Sequence, residues 1–117
     1  MRKPSAATTI YKICASTHWQ AAQHDGAVRG TADDLRDGYI HFSTAQQLAE
    51  TLAKHFAGQA DLVLIEVDAE TLGAALRWEP SRGGALFPHL YGELPLNAVR
   101  RVKPLPLGAD GQHETPV

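Results

Sequence analysis

A single cysteine, Cys14, stands in the 117 residues. No intrachain disulfide can form, a cysteine-based zinc site is excluded, and the chain suits a reducing cytoplasm. Long apolar runs are missing too, and none approaches the roughly 18 residues that a membrane-spanning helix needs. The start, MRKPSAATTIYKI, has no apolar stretch of signal-peptide length. Basic excess is also lacking, because 11 Lys and Arg face 13 Asp and Glu for a formal charge of -2. General nucleic-acid binding is therefore not expected, and the one basic group, Arg100, Arg101 and Lys103, is too short to change that. Nucleotide-sized ligands, which need only one or two cations, stay open. Internal repeats and low-complexity blocks are absent.

What the chain does have is the composition of an ordinary globular domain, 44% apolar and 21% charged. Its length buries roughly two-thirds of the unfolded surface. β-Branched and aromatic residues over 8–14 predict a first strand. A helix is expected from Ser16 or Thr17 to about Gln23, with Gln20 completing a capping box and Gly26 as its stop. Residues 26–37, rich in glycine and charge, predict a surface loop with one short helical turn. The segment 38–58 is the most telling. Ile40 and Phe42 alternate as an apolar strand face, while Tyr39, His41 and Ser43 share the other. Ser43, with Gln46, is expected to cap a helix in which Ala45, Leu48, Ala49, Leu52, Ala53 and Phe56 follow helical spacing up to Gly58.

Residues 62–67, nearly all apolar, predict a central strand covered on both faces. Asp68 caps a single turn, and 75–79 runs as a further strand. Pro80 to Gly84 reads as a turn, and Pro88 puts 86–91 at an edge or a bulge. Residues 97–103 close the sheet. The expected architecture is one α+β domain over 8–106, a mixed sheet of five or six strands with two main helices. A flexible N-terminus over 1–7 and a flexible tail over 107–117 flank it.

Two clusters carry candidate chemistry. In the first, His41 and Ser43 stand just before a helix start, where backbone N–H groups attract phosphate or carboxylate. In the second, Arg82 sits in a glycine-flanked turn suited to bidentate phosphate contact. His89 and Tyr91 share a strand face, and Glu79 ends the preceding strand. Each has a plain structural reading as well: a helix cap for Ser43, a solvated cation for Arg82, packing against Trp78 for His89 and Tyr91. His18, His24, His55 and His113 lack metal-ligand spacing and read as surface residues. His41, His89 and Glu79 have the donor types of a 2-His-1-carboxylate site, but nothing in the spacing requires a metal and none is assigned. Ser81 to Gly84 lacks the lysine and the strand–loop–helix setting of a phosphate loop. Cys14, within an apolar strand, reads as core.

The segments IYKI (10–13), GYIHFST (38–44), LRWEP (76–80) and FPHLYGELPLNAV (87–99) together resemble the bacterial "domain of unknown function 952" family over about residues 8–107. That family is similar in turn to the ADP-ribosyltransferase fold. Enzymes of that fold grip NAD with a His or Arg on the first strand and a Tyr or similar group on a strand before a helix, and a late-strand Glu acts on the ribose. The resemblance implies Tyr39 or His41, followed by Ser43, for the second element. For the carboxylate it implies Glu79 rather than Glu93, where relatives often have proline. Lys12 stands where relatives often have histidine, so the first-strand imidazole is missing. NAD is the implied cofactor, with Tyr91, Tyr39 or Trp78 stacking the nicotinamide and Arg82 or Lys12 neutralising the diphosphate. The carboxylate would stabilise positive charge developing on the ribose.

Three functional readings follow. The first is a pocket for a nucleotide or other anionic small molecule with divergent or degenerate ADP-ribosyltransferase-like activity. It draws on His41, Glu79 and His89 for chemistry and on Lys12, Tyr39, Ser43, Arg82 and Tyr91 for binding. The second is a metal-independent hydrolase or phosphotransferase acting on a nucleotide, with His41 and His89 as acid and base. The third is a non-catalytic binding or protein-interaction module, a monomer or a weak dimer through the 86–91 edge.

Overall fold

The computed structural model describes residues 9–117. The N-terminus expected to be flexible over 1–7, and Thr8 at the head of the first strand, lie outside the described residues. Strand β1 (Thr9–Ala15) runs directly into helix α1 (Ser16–Asp25). The expected Thr17–Gln20 capping box does not form, because the helix starts earlier, with Ala15 at the N-cap. The Ser16 N–H is satisfied by the Asp61 carbonyl at 2.8 Å instead. Gly26, at φ 90°, ends α1 in the left-handed conformation that glycine tolerates.

The stretch expected as a surface loop with one short helical turn holds that turn and a short strand besides. Strand β2 (Ala27–Val28) pairs antiparallel with β7 (Leu94–Pro95). Helix α2 (Ala32–Asp37) follows, with a Thr31–Asp34 capping box at its start and Gly38 at its end. Strand β3 (Ile40–His41) is shorter than the five residues expected. Ser43 does not cap the next helix. Its backbone makes both hydrogen bonds of a bridge with Tyr11 of β1, at 2.8 and 2.9 Å, and its hydroxyl shares a 2.9 Å hydrogen bond with that of Thr51. The cap sits one residue later, where the Thr44 N–H donates to the Gln47 side chain at 3.0 Å. A single turn over 45–47 then leads into α3 (Leu48–His55). Leu48 and Leu52 are buried and Phe56 half-buried, while Ala45, Ala49 and Ala53 face solvent. The apolar stripe is therefore narrower than its spacing implied.

The remaining elements are β4 (Leu62–Asp68), α4 (Ala69–Leu72), β5 (Leu76–Ser81), β6 (Ala85–Leu90) and β8 (Val99–Leu105). The result is an α+β domain with three main helices and three small sheets, ordered β1-β4-β8, β2-β7 and β3-β6-β5. Every strand pair is antiparallel, so the single mixed sheet does not form. The two-residue β2, β3 and β7 are too short to extend one common ladder, and the Tyr11–Ser43 bridge is what joins the first sheet to the third.

Strand β4 is central, as its composition predicts. Leu64 and Ile65 point to opposite faces and are both fully buried. On one face Tyr11, Ile13, Leu62 and Leu64 pack against Leu48 and Leu52 of α3. On the other, Ile10, Cys14, Ile65 and Val67 pack with Ala22 of α1 and with Ile40, Phe42 and Leu90.

Strand β6 is also central, between β3 and β5, rather than at the edge that Pro88 suggested. The Pro88 carbonyl accepts the Phe42 N–H at 3.0 Å. Its missing N–H would face the Phe42 carbonyl, so that pair keeps one bond of two and β3 ends at His41. The edges of this sheet are β3 and β5, and Trp78 on β5 is 46% exposed. After β8, Leu107 bridges His113, whose Nε2 lies 2.6 Å from the Gln59 carbonyl. Among the described residues no helix is long and apolar enough to cross a membrane.

Candidate functional site

The register of β3 against β6 builds the site. Ile40 pairs with Leu90 and His41 with His89. Tyr-Ile-His (39–41) thus runs against His-Leu-Tyr (89–91), with the isoleucine and leucine in the core and the polar rings together on the opposite face. The two imidazole centroids are 5.5 Å apart. Tyr39 stacks on His89 at 4.1 Å and lies 4.7 Å from His41 and 5.2 Å from Tyr91.

Each imidazole has a carboxylate on Nδ1. Asp34 Oδ1 is 2.6 Å from His41 Nδ1, and Glu79 Oε1 is 2.8 Å from His89 Nδ1. Glu79 also accepts the Tyr91 hydroxyl at 2.7 Å. The hydrogen bond from His89, then that from Tyr91, holds the Glu79 carboxyl below the usual carboxylate range. The same contact pushes the Tyr91 phenol up.

Asp34 is the hub of the first pair. At 3% exposure, it takes the Lys12 ammonium at 2.7 Å, the Thr31 N–H at 2.8 Å and the His41 N–H at 3.1 Å, besides the His41 ring. Burial alone would raise its carboxyl. The His41 hydrogen bond and the Lys12 charge outweigh burial and hold it well below the usual range. Backbone geometry at Gly30 makes room, since a Cβ there would lie 2.8 Å from Asp34 Cβ, at φ 114°. A second carboxylate meets the other side of His41, with Asp37 Oδ2 at 3.0 Å from Nε2. Asp37 is itself held by Arg36 Nε at 3.2 Å.

These groups face a cleft of about 280 Å³, at the small end of ligand sites. Lys12, Tyr39, His41, Ser43 and His89, all singled out from sequence, line it, together with Asp34 and Asp37. Tyr11, Ile13, Phe42, Phe56 and Phe87 supply an apolar wall, and the exposed Asp33, Arg36 and His55 also reach it. Glu79 stands behind His89 and is not part of the lining, and neither is Tyr91. Tyr91 is 40% exposed, with the Arg77 guanidinium 5.0 Å from its ring centre. Arg82 has its backbone in the turn Arg82–Gly84, and its side chain lies outside what the structure describes.

Several expectations are revised. Lys12 is committed to Asp34 rather than presented to a phosphate. The start of α3 is closed by Thr44 and Gln47, so Ser43 offers no capped helix terminus to an anion. Glu93 is remote from the cleft and pairs with Arg29 at 3.0 Å. His55 reads as a plain surface residue in the sequence, yet it reaches the cleft. Asp34 and Asp37 went unrecognised, although the Thr31-x-x-Asp34 spacing is a capping-box signature. Among the described residues no group of three His, Cys, Asp or Glu side chains is arranged to hold a metal ion. Burial pushes the Cys14 thiol up to about 11, as suits a core residue.

The model of a protein family described as "Protein of unknown function (DUF952)" matches residues 13–102. The crystal structure of protein CC0527 from Caulobacter crescentus is 52% identical to the chain, covers 92% of this chain and 94% of its own, and superposes with a TM-score of 0.88. The solution NMR structure of CC0527 is 53% identical over 90% of each chain, with a TM-score of 0.80. No curated protein matches the chain.

Proposed function

The chain belongs to the DUF952 family of proteins of unknown function, and within it we propose that this cleft is a two-histidine acid–base site acting on a nucleotide-like phosphodiester. One observation carries the reading: two imidazoles, each gripped through Nδ1 by a carboxylate, lie 5.5 Å apart on one wall of a cleft. A carboxylate on Nδ1 orients the ring and leaves Nε2 to meet a reacting oxygen, which at His41 would displace Asp37, 3.0 Å from that nitrogen. Hydrolysis uses both rings. One takes a proton from water as the water oxygen bonds to phosphorus. The other gives a proton to the leaving oxygen as its P–O bond breaks. The rings end with protons exchanged and reset through solvent.

Charge narrows the ligand. Lys12 and Arg36 face Asp33, Asp34 and Asp37 in the lining, so even with one protonated imidazole the cleft only reaches neutrality. A single negative charge, as on a phosphodiester, suits it better than the diphosphate of NAD. The apolar wall suits a nucleobase. Glu79, bonded to His89 and Tyr91, favours the histidine reading over the ADP-ribosyltransferase-like one, in which that carboxylate meets the ribose of NAD.

A thermal-shift panel of nucleoside 2′,3′- and 3′,5′-cyclic monophosphates, NAD and ADP-ribose tests it. A ligand at 100 times its Kd stabilises by about 2.7 kcal/mol. A cyclic phosphodiester is expected to raise Tm in the wild type and not in His89→Ala. A shift with NAD or ADP-ribose alone favours the ADP-ribosyltransferase-like reading, and no shift with any nucleotide overturns both.

A further inference from the structure

Resting on that reading of the cleft, we propose that the backbone of Ile13, on the open edge of β1, takes the base of the ligand. It does so by paired hydrogen bonds to a ring edge that carries a donor beside an acceptor. The bonding of the strand leaves this residue over. In an antiparallel strand, successive residues turn their N–H and C=O groups to opposite sides. Tyr11 exchanges both of its own with Ser43, at 2.8 and 2.9 Å, and so faces away from β4. Ser16, which continues the β1–β4 register, donates to Asp61 on the β4 side. The even-numbered residues of β1 therefore bond to β4, and Ile13 turns outward with Tyr11.

No strand meets Ile13 there. Continuing the Tyr11–Ser43 register would set His41 opposite it, but the His41 N–H goes to Asp34 Oδ1 at 3.1 Å. The two sheets part beyond the bridge, and the cleft occupies the gap. Its lining includes Tyr11, Lys12 and Ile13 in succession, residues whose side chains alternate between the faces of the sheet. Three in a row are reached only from the edge of the strand. Ile13 is 4% exposed, and among the described residues neither its N–H nor its C=O has a hydrogen-bond partner.

Buried backbone groups are almost always paired, so two on one residue, open to a cleft, call for an occupant. A buried water needs about two to four polar partners. The wall beside this edge is instead Tyr11, Phe42 and Phe56, which suits a flat ring. Nucleobases carry the matching edge, N1–H beside O6 in hypoxanthine and guanine, N3–H beside O4 in uracil. The Ile13 N–H donates to the ring oxygen, and the ring N–H donates to the Ile13 carbonyl. Sugar and phosphate are left to the imidazole wall. Because both groups are main chain, no residue type in the sequence marks this site.

¹H–¹⁵N NMR of the full chain tests the assignment with two pairs of nucleosides, inosine against 1-methylinosine and uridine against 3-methyluridine. None carries a phosphate, and each methyl group removes the ring N–H while keeping the oxygen. Without ligand, the Ile13 amide is expected to exchange with D₂O faster than those of Lys12 and Cys14, which bond to β4. Inosine or uridine should move the Ile13 amide downfield and slow its exchange, and the methylated partner should bind about 10- to 100-fold more weakly. An Ile13 amide as protected as its neighbours in the free protein overturns the proposal. So does one that both inosine and uridine leave unchanged, which means water alone fills the edge, or equal binding of each methylated partner. Failure here is separable from failure of the phosphodiester reading. Cyclic monophosphates that raise Tm without moving the Ile13 amide leave that reading standing and remove this one. Nucleosides that move the amide when no cyclic phosphate binds do the reverse.

Discussion

Asp34 and Lys12 form a buried pair at 2.7 Å, with side chains 2% and 6% exposed. Removing one partner of such a pair strands the other, so Asp34→Asn is expected to cost about 3–5 kcal/mol at neutral pH in chemical denaturation. The pH dependence has a definite sign. The folded carboxyl titrates well below its unfolded value of about 3.9. Its contribution is therefore complete above that value and is lost as pH falls through the lower, folded one. The stability gap between wild type and variant should be widest near neutrality and shrink below about pH 4. A gap that stays constant down to pH 2 contradicts the assignment. At this scale the pairing of Lys12 was hidden, because nothing local marks a carboxylate 22 residues away as its mate.

The short helical turn expected within 26–37 is helix α2, but its bounds were illegible for a related reason. Its six residues, ADDLRD, hold one large apolar side chain, Leu35, which is 69% exposed, so no helical periodicity exists to be read. Its signals were positional, with Thr31 and Asp34 at capping-box spacing and Gly38 beyond the end. The 38–42 strand was legible because its alternation sorts core from cleft. Its boundary was not, because Ser43 is drawn into pairing with Tyr11 of β1, a tertiary contact that overrides local capping. The tight approach of the loop before α2 gives a test. Gly30→Ala combines positive φ with a clash on Asp34 and should cost about 1–3 kcal/mol while moving the His41 ring signals. Gly26→Ala, also at positive φ but facing open space, should leave those signals in place.

At the scale of the molecule, composition and pattern gave a single α+β domain, and the segments that carried the family resemblance lie in or beside the residues the family model matches. The division into three antiparallel sheets was hidden, because which strands pair depends on contacts between distant segments rather than on local propensity. The two histidine-bearing segments could be picked out singly. Their direct opposition in one register, and the carboxylates behind them, came only with the fold. The decisive measurement is ³¹P NMR of a nucleoside 2′,3′-cyclic monophosphate incubated with wild type, His41→Gln and His89→Gln. The cleft described here predicts ring opening to the monoester by the wild type, with each substitution reducing the rate by about 10²–10⁴-fold while the fold is retained. No conversion above buffer, or equal rates in all three proteins, would contradict it.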